Sequence, residues 1–427
     1  MDIIKQIAGD TFASLSIRNY RLYFIGQGFS HIGNWMQTVG LGWLVLVLTG
    51  SGVQLGGVLA FRFLPMFLGP LFSGFVVDKF DKRKILYVTQ SLFAFFALLL
   101  SVLVFANVAQ IWMLYPIALC FGIIDAFDSP TRQTFVHEMV GPENLRNAVG
   151  LNSTEANMAR TLGPMFAGAL IATAGIAFCF LANAFSFFGL IIALYIMRPS
   201  EIHGERKTHG QSGIFAGLRY AWTVPVVRNV LLAMAVVGTF SYEFQTTLPL
   251  LARGTFAGNA ADYAALLSAM GAGSVAGGLF AAGRKEVAAH EFVLSALFFG
   301  VSICAVALMP TLSLSIVAMI FVGFFSINLT SLGNTMVQLN SDSHMRGRVM
   351  SLWSMALFGS TLIGAPIVGW IGQHIDPRGG LLLGGIAAIL ASFWAASKML
   401  SMDKLLAIPA FIRIREEEAE AAAEPKV

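Results

Sequence analysis

The residues with the greatest chemical reach in this chain are ionisable groups stranded in apolar sequence. Glu243 stands first among them. It lies about 12 Å from one end of a long apolar run, at 1.5 Å per helical residue. Thr239, Glu243 and Thr246 share one helical face by their i, i+4, i+7 spacing. An ionisable group inside hydrocarbon is costly and is a functional candidate by default. Such a carboxyl can bind and release a proton or contact a cation. The alternative is a carboxyl that stays neutral or pairs with Arg62 or Arg253 for structural reasons. Arg62 is close enough to the end of its run to snorkel. Arg160 has Glu155 five residues before it, a poor spacing for a pair on one helix, and a structural role is expected for it.

Two polar stripes accompany these charges. Gln27, His31, Asn34 and Thr38 recur at i, i+4, i+7, i+11, with Trp35 beside them. Asn328, Ser331, Asn334 and Gln338 form the second. In lipid a polar stripe must face a cavity or the polar groups of another helix. The candidates for a substrate-binding or coupling set are Glu243, Gln27, His31, Asn34, Arg62, Asn328 and Asn334, with His31 a candidate proton relay; the alternative for the stripes is interhelical hydrogen bonding.

Long apolar elements must position these groups. The chain is 56% hydrophobic and 12% charged, with mean hydropathy +0.74. A soluble protein of this length carries about a quarter charged residues. The composition reads as an all-α, polytopic membrane protein. Twelve spans of about 20 residues fit the hydropathy: 22–48, 54–76, 85–106, 110–129, 148–172, 176–197, 229–251, 263–282, 290–309, 313–334, 349–372 and 380–400. Of the 27 lysines and arginines, 23 fall on one side of this arrangement, two (Arg253 and Arg378) on the other, and Arg62 and Arg160 inside spans. That bias puts both termini in the cytoplasm. Met1–Tyr20 is too polar for a signal peptide and reads as an interfacial helix. The tail 401–427 reads as a solvated, partly helical segment.

Enzyme signatures do not emerge. His137-Glu138 and His290-Glu291 lack the second His of a zinc protease motif, and there is no GxSxG, CxxC or phosphate loop. Cys120, Cys179 and Cys304 read as small buried hydrophobes. No cofactor and no metal ion are expected. The partners expected are a small-molecule substrate, protons and the lipid bilayer, with no nucleic acid; a monomer is expected.

The charged turn Gly74-Phe-Val-Val-Asp78-Lys79-Phe-Asp81-Lys82-Arg83-Lys84 resembles the loop between helices 2 and 3 of major facilitator superfamily transporters. A position usually Gly in that loop is Asp81 here. The chain also repeats internally at an offset near 200 residues. Asp81-Lys82-Arg83 maps onto Gly283-Arg284-Lys285, Leu145–Val149 onto Met345–Val349, Gly163-Pro164 near Ala365-Pro366, and Arg18-Asn19 onto Arg228-Asn229. Two repeated six-span halves are the architecture of that superfamily. The halves are expected at 1–197 and 228–400, joined by a cytoplasmic linker 198–227 and followed by the tail 401–427.

Span 5 carries Gly150-x8-Ala159-x3-Gly163-Pro164-x2-Ala167-Gly168, similar to the helix 5 motif of exporters in the superfamily, and Gly273-x3-Gly277 of span 8 offers a partner face. Phe127–Gln133, Asn147, Asn152, Asn157, Arg160, Tyr20-Arg21-Leu22, Gly26-Gln27 and Trp35-Met36-Gln37 look like the branch containing the enterobactin exporter and the macrolide efflux proteins. The helix 4 Arg of proton-coupled drug antiporters is absent, since Ala118 precedes Gly122. The resemblance implies a secondary active exporter of a siderophore or drug-like compound across the cytoplasmic (inner) membrane by alternating access, with proton coupling. The alternative is a lipid flippase or lysophospholipid transporter, and a membrane enzyme ranks below both. It further implies that spans 1, 7 and 10 face a central cavity. The gating set it implies is Gly74, Asp78, Lys79, Lys82, Arg83, Asp125, Asp128, Gly163 and Pro164, with a helix 4 carboxylate meeting the basic turn.

Overall fold

The computed structural model describes residues 12–68, 79–202, 214–284, 287–342 and 344–400. All regular elements among them are helical. The spanning helices are α1 (Arg18–Thr49), α2 (Gly52–Leu68), α3 (Lys82–Phe105), α4 and α5 (111–140 and 142–173 of the continuous element Ile111–Thr173), α6 (Ile176–Ile196), α7 (Pro225–Thr255), α8 (Ala260–Ala282), α9 (Ala289–Leu308), α10 (Leu312–Leu339), α11 (Arg346–His374) and α12 (Gly379–Met399). Among the described residues, ten helices are long and apolar enough to cross a membrane. Ile111–Thr173 makes two of the crossings, and α2 is the shorter apolar helix beside them. Leu279, Phe185, Phe95 and Phe393 are all more than half exposed. An apolar surface of that kind is a lipid-facing belt.

The reversal between α4 and α5 is a single residue. Gly141 has φ 67° and ψ 176°, a conformation that suits Gly, and Pro142 follows with no N–H to lose at the start of α5. Span 4 was expected to end at 129 and span 5 to begin at 148. The helices instead run to 140 and from 142. The polar stretch between stays helical because its charges are satisfied inside the protein. Arg132 Nε donates to Asp128 Oδ2, and Lys82 Nζ lies 2.6 Å from Glu138 Oε1. The Thr131 hydroxyl donates to the Phe127 carbonyl at 2.6 Å beside Pro130.

Side-chain contacts set the directions. Tyr20 donates to Ala148 O at 2.9 Å, Gln27 bonds Glu155, and Gly163 packs on Trp35, so α5 runs parallel to α1. Phe93 of α3 stacks on Phe121 at 5.9 Å while Lys82 meets Glu138, so α4 runs against α3. Ser14 is fully buried and ties the first described turn to the α4–α5 junction through Asn147 Oδ1 and Asn144 O, both at 3.0 Å. The interfacial helix expected over 1–20 is a short 3-10 turn, Ala13–Ser16, where it is described.

Helices α1–α6 pack together, as do α7–α12, and two seams join the groups: α2 against α11 and α5 against α8. Gly56 lies on the Ala365 backbone, Gly52 on Gly369, Gly168 on Ala264 and Gly271 on Thr161. Small residues permit such close approach. The α8 pair Gly273 and Gly277, expected to face α5, instead packs on Ile320, Phe324 and Asn328 of α10. The linker also holds a helix, Ile214–Thr223, which was not foreseen. Tyr220 of that helix accepts from Asp342 N at 2.9 Å, and Gly217 lies against Arg348 of α11.

Candidate cavity and its charged wall

A cavity of about 1350 Å³ opens between the halves on the side that carries the α4–α5 junction and the first described turn. We call this the terminal side. Its wall comes almost wholly from α1, α4 and α5, with Lys82 from α3 and Phe358 from α11. On the far side the halves are in contact. Ser51 Oγ donates to Gln373 Oε1 at 2.6 Å, Val53 N donates to the same oxygen at 3.1 Å, and Arg253 Nη1 donates to Leu46 O.

The wall holds one connected polar network. Gln27 Nε2 donates to Glu155 Oε2 at 2.7 Å, and Gln27 Oε1 accepts from Arg132 Nη1 at 3.4 Å. Arg132 pairs with Asp128, whose Oδ1 accepts from Thr89 Oγ1 at 2.6 Å and Gln90 Nε2 at 2.7 Å. His31 Nδ1 lies 2.9 Å from Glu155 Oε1, an ion contact whose angle is off the hydrogen-bond direction. Glu155 is 8% exposed, whereas the His31 side chain is 27% exposed and lines the cavity. Its hydrogen bonds and the Arg132–Asp128 pair hold Gln27, Asp128 and Arg132 in place.

Of the residues expected at a binding or coupling site, Gln27, His31 and Asn34 line the cavity. Arg62 lies 3.4 Å from Asp125 Oδ2 with its guanidinium 5.7 Å from the Phe121 ring, so α2 supplies the cation that α4 lacks. Glu243 does not line the cavity. It sits in a break of α7, between Phe240 and Phe244, so the continuous face Thr239–Glu243–Thr246 does not form. The break is held open by neighbours: Ser241 Oγ donates to Gly384 O at 2.6 Å and Tyr242 OH to Ser326 O at 2.9 Å. Glu243 is 2% exposed, its Oε1 lies against Gly364 of α11, and that oxygen has no hydrogen-bond partner among the described residues. Neither Arg62 nor Arg253 pairs with it. Asn328 is also buried away from the cavity, donating to Phe324 O at 2.7 Å and Gly277 O at 3.4 Å between α10 and α8. Asn334 is half-buried and accepts from Gln338 on its own helix.

The expected gate residues divide. Gly74 and Asp78 lie outside the described residues. Asp125 and Asp128 were expected to meet the basic turn. Instead Glu138, ten residues past Asp128, holds Lys82, because α4 extends beyond its expected end. Arg83 donates to Leu194 O at 2.8 Å and Tyr195 O at 3.3 Å, closing the end of α6, and the Lys79 amine lies 5.9 Å from the centre of the Phe80 ring. Asp81 accepts from Lys84 N at 3.2 Å as the N-cap of α3, which accounts for an acidic residue at a usual Gly position. Gly163 packs on Trp35 and Ile32 of α1, and Pro164 lies inside α5. Arg160 stacks on Trp35 at 5.3 Å and does not pair with Glu155. Glu155 itself was missed as a site residue. Its signal was a carboxylate about two turns before Gly163, read only as a partner for Arg160.

A family model described as transmembrane secretion effector matches residues 9–422. The chain belongs to this family, and it is a major facilitator transporter. The staphyloferrin A transporter of Staphylococcus aureus is 24% identical over 346 residues, covering 78% of this chain and 85% of that protein. The enterobactin exporter EntS of Shigella boydii is 24% identical over 386 residues, covering 87% of this chain and 91% of that protein. Two solved structures show the same fold. A bacterial homologue of the human lysosomal transporter Spinster, inward-facing and unoccupied, aligns with TM-score 0.68 at 15% identity over 90% of this chain and 98% of its own. The peptide transporter POT in complex with sulfate aligns with TM-score 0.75 at 11% identity over 91% and 96%. The transporter described here therefore combines the superfamily fold with a charged wall concentrated in its first six helices.

Proposed function

We propose that this transporter exports a polar small molecule of the siderophore kind across the cytoplasmic membrane by alternating access, in exchange for protons, with both termini cytoplasmic. The observation that carries the reading is the cavity of about 1350 Å³, open on the terminal side and closed by contacts between the halves on the far side. An exporter loading from the cytoplasm presents such a cavity. The lysine and arginine bias supports the orientation, since 23 of 27 fall on the terminal side or within its connections. The two siderophore transporters named above, each aligned over most of its length, support the substrate class.

Within this reading the cavity wall binds substrate through Gln27, His31 and Asn34, while Glu243 acts under the far-side seal, where separation of α7 from α11 would uncover it. Lys82, Arg83, Gly163 and Pro164 belong to the moving framework. The test is transport by the purified full-length protein in phosphatidylethanolamine–phosphatidylglycerol vesicles carrying a proton gradient, with enterobactin and staphyloferrin A as probes. Accumulation that collapses on adding a proton ionophore is expected for at least one. Flux of both equal to that of protein-free vesicles would overturn the siderophore reading.

A further inference from the structure

We infer that His31 and Glu155 together form the proton-binding site of the transport cavity, exchanging one proton against a cationic or hydrogen-bond-donating group of the substrate. The inference rests on the exporter reading above and adds to it the residues that couple it to protons. The argument starts from charge balance. The connected network contains two carboxylates, Glu155 and Asp128, and one guanidinium, Arg132. With His31 neutral it has one negative charge in excess. Buried charges are tolerated when they are paired and hydrogen-bonded, and an uncompensated one is costly. One proton shared between His31 and Glu155 makes the network neutral.

The neighbouring groups leave that proton no other home. From α1, Tyr20 and Tyr23 lie beside Glu155, and both are phenols uncharged near neutrality. Tyr20 already donates to Ala148 O. From α4, Arg132 is permanently charged, and Asp128 is saturated by Arg132, Thr89 and Gln90. Asp125 is paired with Arg62 of α2, and Glu138 with Lys82 of α3. Each of those pairs is neutral by itself. On α5 the Arg160 guanidinium lies over the Trp35 ring at 5.3 Å and is not within ion-pair distance of Glu155. His137 is exposed on the cavity wall beyond this network.

The position of the pair allows exchange. Glu155 is buried, but His31 lines the cavity, so cavity water can exchange a proton with the imidazole, whose Nδ1 lies 2.9 Å from Glu155 Oε1. Gln27 cannot turn to replace His31, because its amide nitrogen is committed to Glu155 and its oxygen to Arg132. When the proton leaves to the terminal side, the wall becomes anionic and favours a substrate group that is a cation or a hydrogen-bond donor. When the proton returns, that group is displaced.

The test is infrared pH-difference spectroscopy of the full-length protein in phosphatidylethanolamine–phosphatidylglycerol vesicles, with protons as the only probe. Imidazole and carboxyl bands that titrate together are expected in the wild type and in Glu243→Gln. They are expected to be absent from Glu155→Gln and from His31→Gln. Size-exclusion profiles check folding, and if Glu155→Gln does not fold, His31→Gln carries the test alone, since it keeps a polar side chain on the cavity wall. A Glu155→Gln or His31→Gln spectrum that superposes on the wild type would overturn the inference. The same vesicles loaded for enterobactin transport give a second arm. Glu155→Gln should lower gradient-driven accumulation about tenfold or more while leaving gradient-free exchange in place, a split that a merely structural role would not produce. Wild-type vesicles that move no enterobactin would count against that substrate, and the spectra would still decide the proton site.

Discussion

The two halves of this transporter handle buried charge in opposite ways. In the first six helices, Glu155, His31, Gln27, Arg132 and Asp128 form one chain of contacts along the cavity wall, in which Arg132 pairs with Asp128 and Glu155 accepts from Gln27 beside His31. In the last six helices, Glu243 sits in a helix break against Gly364, with Thr361 beside its carboxyl and no cation paired with it among the described residues. The first arrangement is stabilised by mutual pairing and reaches water through His31. The second is buried and lies between α7 and α11, under the seam that closes the far side. Alternation between two openings needs both kinds of place. One must stay in contact with the open cavity, and the other must be hidden until the seam parts. The glycine contacts of that seam let the α2 and α11 backbones meet directly at Gly52–Gly369, with Leu250 and Thr246 of α7 packed beside them.

Substitutions sharpen the contrast. Arg132→Met should have the largest effect on folding, because it leaves Asp128 buried without its counter-charge. Breaking one partner out of a buried pair costs about 3–5 kcal/mol. Thermal unfolding of the detergent-solubilised protein should show a large drop in midpoint, and an unchanged midpoint would mean that the network is not a structural unit. Glu243→Gln should have a much smaller effect, within about 1 kcal/mol, because the amide has the same volume and Oε1 has no bonded partner to lose. The same unfolding assay checks it. A loss as large as that of Arg132→Met would place Glu243 in a network like that of the first half.

Much of the fold was legible in the sequence, because hydrocarbon imposes one requirement everywhere. Apolar runs of span length must be helical, and the charged turns must lie at their ends. The small-residue run of α5 at Gly163 and Gly168 was half-legible: small residues announce close packing but not the helix they meet, α1 for Gly163 and α8 for Gly168. Gly273 and Gly277 were assigned to α5 and pack on α10. The polar stretch 130–147 was misread as a connection, since its charges find partners on α1 and α3 that are distant in sequence. The same cause hid Glu155. Its partners Gln27 and His31 are more than 120 residues away and come within reach only because α5 runs parallel to α1. Glu243 drew attention through its apolar flanks. The break at 241–243 that removes it from the cavity depends on Gly384 and Ser326, which no local pattern around Glu243 reveals.

The central claim is that the cavity on the terminal side and the seam on the far side open in alternation. Two distances measured by pulsed electron resonance on the full-length protein in lipid, with Cys120, Cys179 and Cys304 replaced by Ala, test it most directly. One spin-label pair, at Ser51 and Gln373, reports the far side, where these residues now share a hydrogen bond of 2.6 Å. The other, at Thr154 and Gly278, reports the terminal ends of α5 and α8, where Thr154 is exposed and Gly278 has open space around it. The account predicts two populations of opposite sense, the far-side pair long when the terminal pair is short, with their proportions changing between acid and alkaline pH. A single population in both pairs at every pH, with a proton gradient and with enterobactin present, would contradict it.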